Sequence, residues 1–390
     1  MSARSRFLEP PRLRTLAGGE QDDRRATWLE LFFDLVFVAA VGQLASALSS
    51  QPTAVRFFEF LGLFVPVWWA WSGYTFYANR FDTDDLPYRL LTLLGMFGVA
   101  VLATTVPGVF KGVTIGFPLA YVGVRSVLLV LYERARRHVP EARSLARTFL
   151  LAFGSANVVW LVSLALPRPW NYVLWGCALL FELSAPILAW RQIPRAPIHP
   201  RHIPERFGLL TLIVLGESLF AVVFGVSRVS WDLPSAAAAV AGFLVAAAIW
   251  WIYFDFIDEA AVSRRGIPGG LVYVYVHYFV IAGLTALGAG VKMAILSAGG
   301  DSQYDGTAWV LCAGLALTML GLAAIELVSR PRAGVDADFW LRVATLVLAL
   351  ALFPLDRSPL SILLVLAGAL SAQVVYELAR HEGHAHEVEI

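Results

Sequence analysis

Residues Trp28 to Leu44 read W-L-E-L-F-F-D-L-V-F-V-A-A-V-G-Q-L, the start of an apolar run that carries two carboxylates, Glu30 and Asp34, one helical turn apart. On a helix, positions four apart stack on one face, so both acids point the same way. An acid inside a membrane helix costs about 2.5–3.5 kcal/mol on insertion scales. Two acids kept on one stripe of a bilayer-length run therefore predict a use for them.

The rest of the chain has the same solvent preference. Of its 390 residues, 58% are hydrophobic and 15% charged, and the mean hydropathy is +0.67, far from the soluble average. The fold class expected is all-α, a polytopic membrane bundle whose principal partner is the lipid bilayer. Lys plus Arg, 30 in all, nearly balances Asp plus Glu at 29, so no basic field points to nucleic acid. Cys177 and Cys312 fall inside apolar runs and read as packing residues, with neither a disulfide framework nor metal spacing. Arginines from Arg4 to Arg25 precede the first run without a small-residue cleavage site, which predicts a retained cytoplasmic tail over residues 1–26 rather than a signal peptide.

Runs of about 20 apolar residues, the length a helix needs to cross, number twelve: roughly 27–49, 54–77, 86–107, 112–133, 146–166, 169–190, 206–227, 235–257, 270–297, 307–328, 339–355 and 358–379. The last two are short and separated only by Asp356 and Arg357. With the N-terminus inside, 23 Lys and Arg fall on cytoplasmic segments, six on the opposite side, and Arg125 lies within a span. That bias is what the positive-inside rule expects of twelve spans with both termini cytoplasmic.

The order of motifs suggests two parallel six-helix repeats, residues 27–190 and 206–379. V-W-W-A-W-S-G-Y from Val67 matches I-W-W-I-Y-F-D-F from Ile249, and on the same register Asp34 meets Glu217 at an offset of 183. Chance likeness among aromatic belts and Gly-rich apolar helices is the competing explanation. Residues 191–205, with Pro194, Pro197, Pro200 and Pro204 among Arg and His, read as a stiff cytoplasmic linker. Residues 380–390 read as a cytoplasmic His-rich tail, a polar end rather than a metal site.

Several charged side chains fall where hydrocarbon should exclude them. Asp34 lies about two turns into its span and is too short to snorkel, whereas Glu30 reaches headgroup water or serves the positive helix N-terminus beside Arg24 or Arg25. Arg206 and Glu217 are eleven residues apart, nearly three whole turns, so they share a stripe about 16 Å long. Gly216 beside Glu217 would admit a neighbouring helix, and Ser218 offers a hydroxyl. Asp255, rather than the solvated Asp258, and His277 sit near the cytoplasmic ends of the eighth and ninth spans. His277 is either a proton relay or a satisfied interior imidazole. Arg125 cannot shed its charge and needs an acid in hydrocarbon; Glu182, which would make a structural ion pair, and Glu217 are the alternatives. No phosphate-binding loop, nucleotide turn, nucleophile elbow or zinc helix occurs, so no cofactor or metal is expected.

Taken jointly and in order, W-L-E-L-F-F-D-L-V-F-V at 28–38, H-x-x-E-R-F-G at 202–208, L-G-E-S at 215–218, W-x-Y-F-D at 251–255 and Y-x-H-Y at 275–278 resemble the bacterial low temperature requirement protein A family. The resemblance implies an inner-membrane protein of a family named for a cold-growth phenotype, with no established biochemical activity. It places the family's characteristic positions on Glu30, Asp34, His202, Glu205, Arg206, Glu217, Asp255 and His277. F-F-D at 32–34 is also loosely similar to the F-S-D motif of the bacterial and lysosomal potassium and proton channel family. The chain departs from that motif at Phe33, and the seventh span lacks it.

Two activities of different class are compatible with these residues. In the first, a transporter or channel, Asp34 and Glu217 bind a proton, cation or small-molecule substrate near the midplane, with Glu30, Glu205, Arg206, Asp255 and His277 around them. In the second, a membrane-embedded enzyme, the cytoplasmic cluster of Glu30, Asp34, Glu205, Arg206, Asp255 and His277 acts on a lipid or isoprenoid head group. A non-catalytic membrane scaffold is the third reading, and a homo-oligomer fits any of them.

Overall fold

In hydrocarbon a chain satisfies its backbone N–H and C=O groups only within helices or a closed barrel, and the apolar runs of this protein form helices. The computed structural model describes residues 9–14, 26–198, 202–255, 266–329, 337–355 and 357–388, and 84% of it is helix. Among the described residues the helices are α1 (Trp28–Ser50), α2 (Ala54–Arg80), α3 (Leu86–Phe110), α4 (Gly116–His138), α5 (Arg143–Val162), α6 (Trp170–Leu188), α7 (His202–Val226), α8 (Leu233–Phe254), α9 (Gly266–Ala298), α10 (Ala308–Ser329), α11 (Ala337–Leu352) and α12 (Pro359–Val388).

Eleven of these are long and apolar enough to cross a membrane, which makes the protein a multi-pass membrane protein. The twelfth, α11, has 16 residues among those described, about 24 Å of helix, against a hydrocarbon core of about 30 Å. Its apolar run was read on to residue 355, but Phe353 and Pro354 form a turn past the helix end. Pro204, expected in the linker, instead occupies the first turn of a helix that starts at His202, where a missing N–H leaves no hydrogen bond unmade.

Two short strands depart from the all-helical expectation. β1 (Arg12–Leu13) pairs antiparallel with β2 (Phe81–Asp82), Arg12 opposite Asp82 and Leu13 opposite Phe81. The amide of Arg14 continues the ladder onto the Arg80 carbonyl at 3.0 Å, so the pre-span segment is fastened to the end of α2.

The chain divides into two compact units, Met1–Ala47 with Phe58–Leu209, and Leu48–Phe57 with Leu210–Ile390. In the first, α3 packs on α4, α4 on α5 and α5 on α6, neighbours joined by short turns. Asp85 caps α3 by accepting the Tyr88 amide at 3.1 Å and also binds Arg134 near the end of α4. In the second unit α9 is the central helix, touching α8, α10 and α12, and 89% of its apolar window is buried. Asp232 caps α8 through the Ser235 amide at 2.9 Å, which holds its carboxyl below the ordinary range. That contribution is present at neutral pH and lost as acid protonates the carboxylate.

α9 and α10 meet backbone to backbone. A Cβ at Gly283 would lie 2.6 Å from the Thr318 amide nitrogen, and one at Gly314 would lie 2.6 Å from that of Leu287. Small residues permit such an approach where lipid removes the hydrophobic drive between helices. Gly314→Ala must push two backbones apart and is expected to destabilise the protein by about 1–3 kcal/mol. Thermal unfolding in detergent measures it against Gly154→Ala in α5, where an added Cβ meets nothing within 4 Å.

Candidate functional site

α1 begins with a capping box: Thr27 Oγ1 accepts the Glu30 amide at 3.3 Å, and Glu30 Oε2 accepts the Thr27 amide at 2.8 Å. The box fixes where the helix starts and hence the height of Asp34, one turn further in. Asp34 is fully buried. Its Oδ1 accepts two bonds, from the Trp71 indole N–H at 2.7 Å and from Arg206 Nη2 at 2.5 Å. Its Oδ2 has no hydrogen-bond partner among the described residues.

Arg206 is the hinge of a line of ionisable groups. Its Nη1 lies 3.6 Å from Glu30 Oε2, which is 3.7 Å from His202 Nε2. His202 Nδ1 in turn lies 3.7 Å from Glu205 Oε2, and Arg14 Nη2 stands 4.0 Å from Glu30. Glu205 Oε1 accepts the Ala26 amide at 3.1 Å. Exposure of the acids falls along the line, from 36% for the Glu205 side chain to 7% for Glu30 and none for Asp34. His202, Glu205 and Arg206 lie on the first turns of α7, so one helix supplies the acceptor at the rim, the imidazole and the guanidinium. A cavity of about 10 Å³ adjoins Glu30 and Arg206 and is walled by Tyr74, Tyr77, Tyr88 and Thr92. That is room for about one water. Tyr77 OH and Arg206 Nη1 are buried without hydrogen-bond partners among the described residues.

Arg125 takes Glu182, not Glu217, as its acid. Both side chains are fully buried, and Tyr121 OH donates to the same Glu182 oxygen at 2.9 Å. The guanidinium lies over the Phe153 ring at 4.2 Å, and Gly73 of α2 leaves space for it, since a Cβ there would sit 2.7 Å from Nη1.

Glu217, Asp255 and His277 belong to the second unit. Half-buried Glu217 is coupled electrostatically to Lys292 on α9. The close approach beside it is not made at Gly216, where a Cβ would meet nothing within 4 Å; it is made by Gly288 of α9, 2.7 Å from Ser218 Oγ by the same test. Asp255 is exposed at the C-cap of α8. His277 uses both ring nitrogens: Nδ1 donates to the Tyr273 carbonyl at 2.7 Å and Nε2 accepts from Tyr253 OH at 2.9 Å. Arg24, Arg25 and Asp258 lie outside the described residues.

Trp71 was missed as a partner of Asp34, although a buried indole N–H needs an acceptor. A polar network in the second unit was missed too. Arg342, close to the end of an apolar run, is fully buried and paired with Glu326. Thr345 Oγ1 donates to Gln373 at 2.9 Å, Gln373 Nε2 to Glu377 at 2.9 Å, and Arg380 lies 3.3 Å from Asp338. The signal was present, because Asp338, Arg342 and Thr345 repeat the helical spacing of Gln373, Glu377 and Arg380.

The chain resembles an uncharacterized protein of Rhizobium meliloti (strain 1021), 28% identical over an alignment of 298 residues, with 70% of this chain and 71% of the relative covered. A family model described as bacterial low temperature requirement A protein matches residues 25–376. Those residues run from just ahead of the α1 capping box into α12, taking in Asp34, Arg206 and Glu217, and the chain belongs to the bacterial low temperature requirement A family.

Proposed function

We propose that this protein is a proton- or cation-coupled transporter or channel of the bacterial inner membrane, with Asp34 and Glu217 as the ion-binding carboxylates of its two units. The observation that carries the reading is the charge balance around Asp34. Three carboxylates, Glu30, Asp34 and Glu205, stand with two guanidinium groups, Arg14 and Arg206, and the imidazole of His202. With His202 neutral the group is one positive charge short, so it favours uptake of a proton or cation. The gaps of 3.7 Å from Glu205 to His202 and from His202 to Glu30 lie just beyond hydrogen-bond length, so small side-chain rotations would pass a proton from the rim to Glu30, while Arg206 keeps its charge and tunes the proton affinity of Glu30 and Asp34. Glu217 with Lys292 would form a second station. The adjoining cavity, at about 10 Å³, admits a water but no lipid head group, which favours ion movement over head-group chemistry.

Purified protein in vesicles under an imposed proton gradient tests the proposal. The wild type is expected to dissipate the gradient, and Asp34→Asn to slow it to the rate of protein-free vesicles. Full flux in Asp34→Asn would remove the proposed role of that acid, and full flux in Glu217→Gln would remove the second station.

A further inference from the structure

We infer that the cleft between α4 and α5 binds the head group of an anionic phospholipid, with the lipid's apolar part lying against the outer faces of the two helices. The cleft has a volume of about 520 Å³ and is walled by Leu129, Val130, Leu150, Glu133, Arg134, Arg137 and His138. That is within the range of small-molecule sites. It is also amphiphilic along its length: apolar side chains form one end, and the last two turns of α4 form the other.

The charge at the polar end is complementary to a phosphodiester. Both oxygens of Glu133, the acid on the wall, are engaged, Oε2 by Arg136 at 2.6 Å and Oε1 by Arg137 at 2.7 Å. Arg134 is held by Asp85 and by the Glu9 carbonyl, which fixes its place on the wall. Arg134 and Arg137 on the wall, with Arg136 beside them, outnumber Glu133 and the Asp85 that holds Arg134, so the polar end carries one net positive charge. His138 Nδ1 donates to the Arg134 carbonyl at 2.8 Å, which fixes the imidazole at the polar end of the cleft. Val130, 51% exposed, continues the apolar wall. A soluble anion has no use for that wall, whereas an acyl chain does. Placing the site in the inner leaflet rests on the proposed orientation, in which the arginine-rich end of α4 is cytoplasmic.

The test is native mass spectrometry of the full chain in detergent, titrated with phosphatidylglycerol, phosphatidylcholine or inorganic phosphate. Phosphatidylglycerol is expected to be retained in preference to phosphatidylcholine, and inorganic phosphate is expected not to displace it. Arg137→Gln should weaken retention about fivefold, the effect of one basic residue at an anionic lipid surface. Glu133→Gln frees two arginines and should strengthen it, an outcome that a merely structural ion pair would not produce. Leu150→Trp should fill the cleft and abolish retention while leaving the melting temperature unchanged. Equal retention of the two lipids, displacement by inorganic phosphate, or unchanged affinity in both charge variants would overturn the assignment. None of these results touches the transport reading, which is decided by flux.

Discussion

Arg125→Met is expected to lower stability by about 3–5 kcal/mol, because it leaves the Glu182 carboxylate in a dry interior without its cation. Glu182→Leu should do comparable damage by stranding the guanidinium. The double replacement Arg125→Met with Glu182→Leu is expected to recover most of the loss, since an apolar pair of similar volume avoids desolvating two charges. Thermal unfolding of the four proteins in one detergent gives the coupling directly. If the double variant is no more stable than either single one, Arg125 has a role beyond this pair. The packing predicts otherwise, because Tyr121, Phe153 and Gly73 shape the pocket around that ion pair.

The Asp34–Arg206 pair should behave differently, and the difference separates a site from a staple. Arg206→Met is expected to destabilise the protein by about 3–5 kcal/mol. Trp71→Phe, which removes one hydrogen bond to a charged acceptor, should cost about 1.5–3 kcal/mol. Combining Arg206→Met with Asp34→Leu should restore folding, yet the restored protein is expected to carry no proton flux. A double variant that folds and still dissipates a gradient would make this pair structural, like Arg125 with Glu182.

Much of the fold was legible because lipid permits few backbone solutions: a run such as 27–49 had to be a helix, and α1 occupies Trp28–Ser50. What failed were the ends. Composition cannot separate α11 from its apolar turn at Phe353, nor tell whether Pro204 closes a linker or opens a helix. The β1–β2 pair was invisible because two residues per strand leave no period to detect.

For the site, the sequence could say that Asp34 needed company but not whose. Arg206 is 172 residues away, and Trp71 looked like one more belt aromatic. Depth counting left Arg125 a choice between Glu182 and Glu217, and only the helix packing decides it. The Thr27–Glu30 capping box was readable as T-x-x-E, but the membrane setting drew attention to the acid alone. Glu30 consequently has two duties, starting a helix and facing Arg206.

The most direct test of the central claim is infrared difference spectroscopy of the protein in lipid as the bath pH is stepped, comparing wild type with Asp34→Asn. A carboxyl band is expected to appear and disappear with pH in the wild type and to be lost or displaced in the variant, because Asp34 belongs to the group that takes up the proton. Superimposable spectra would contradict it, leaving these helices as a membrane fold held together by buried ion pairs.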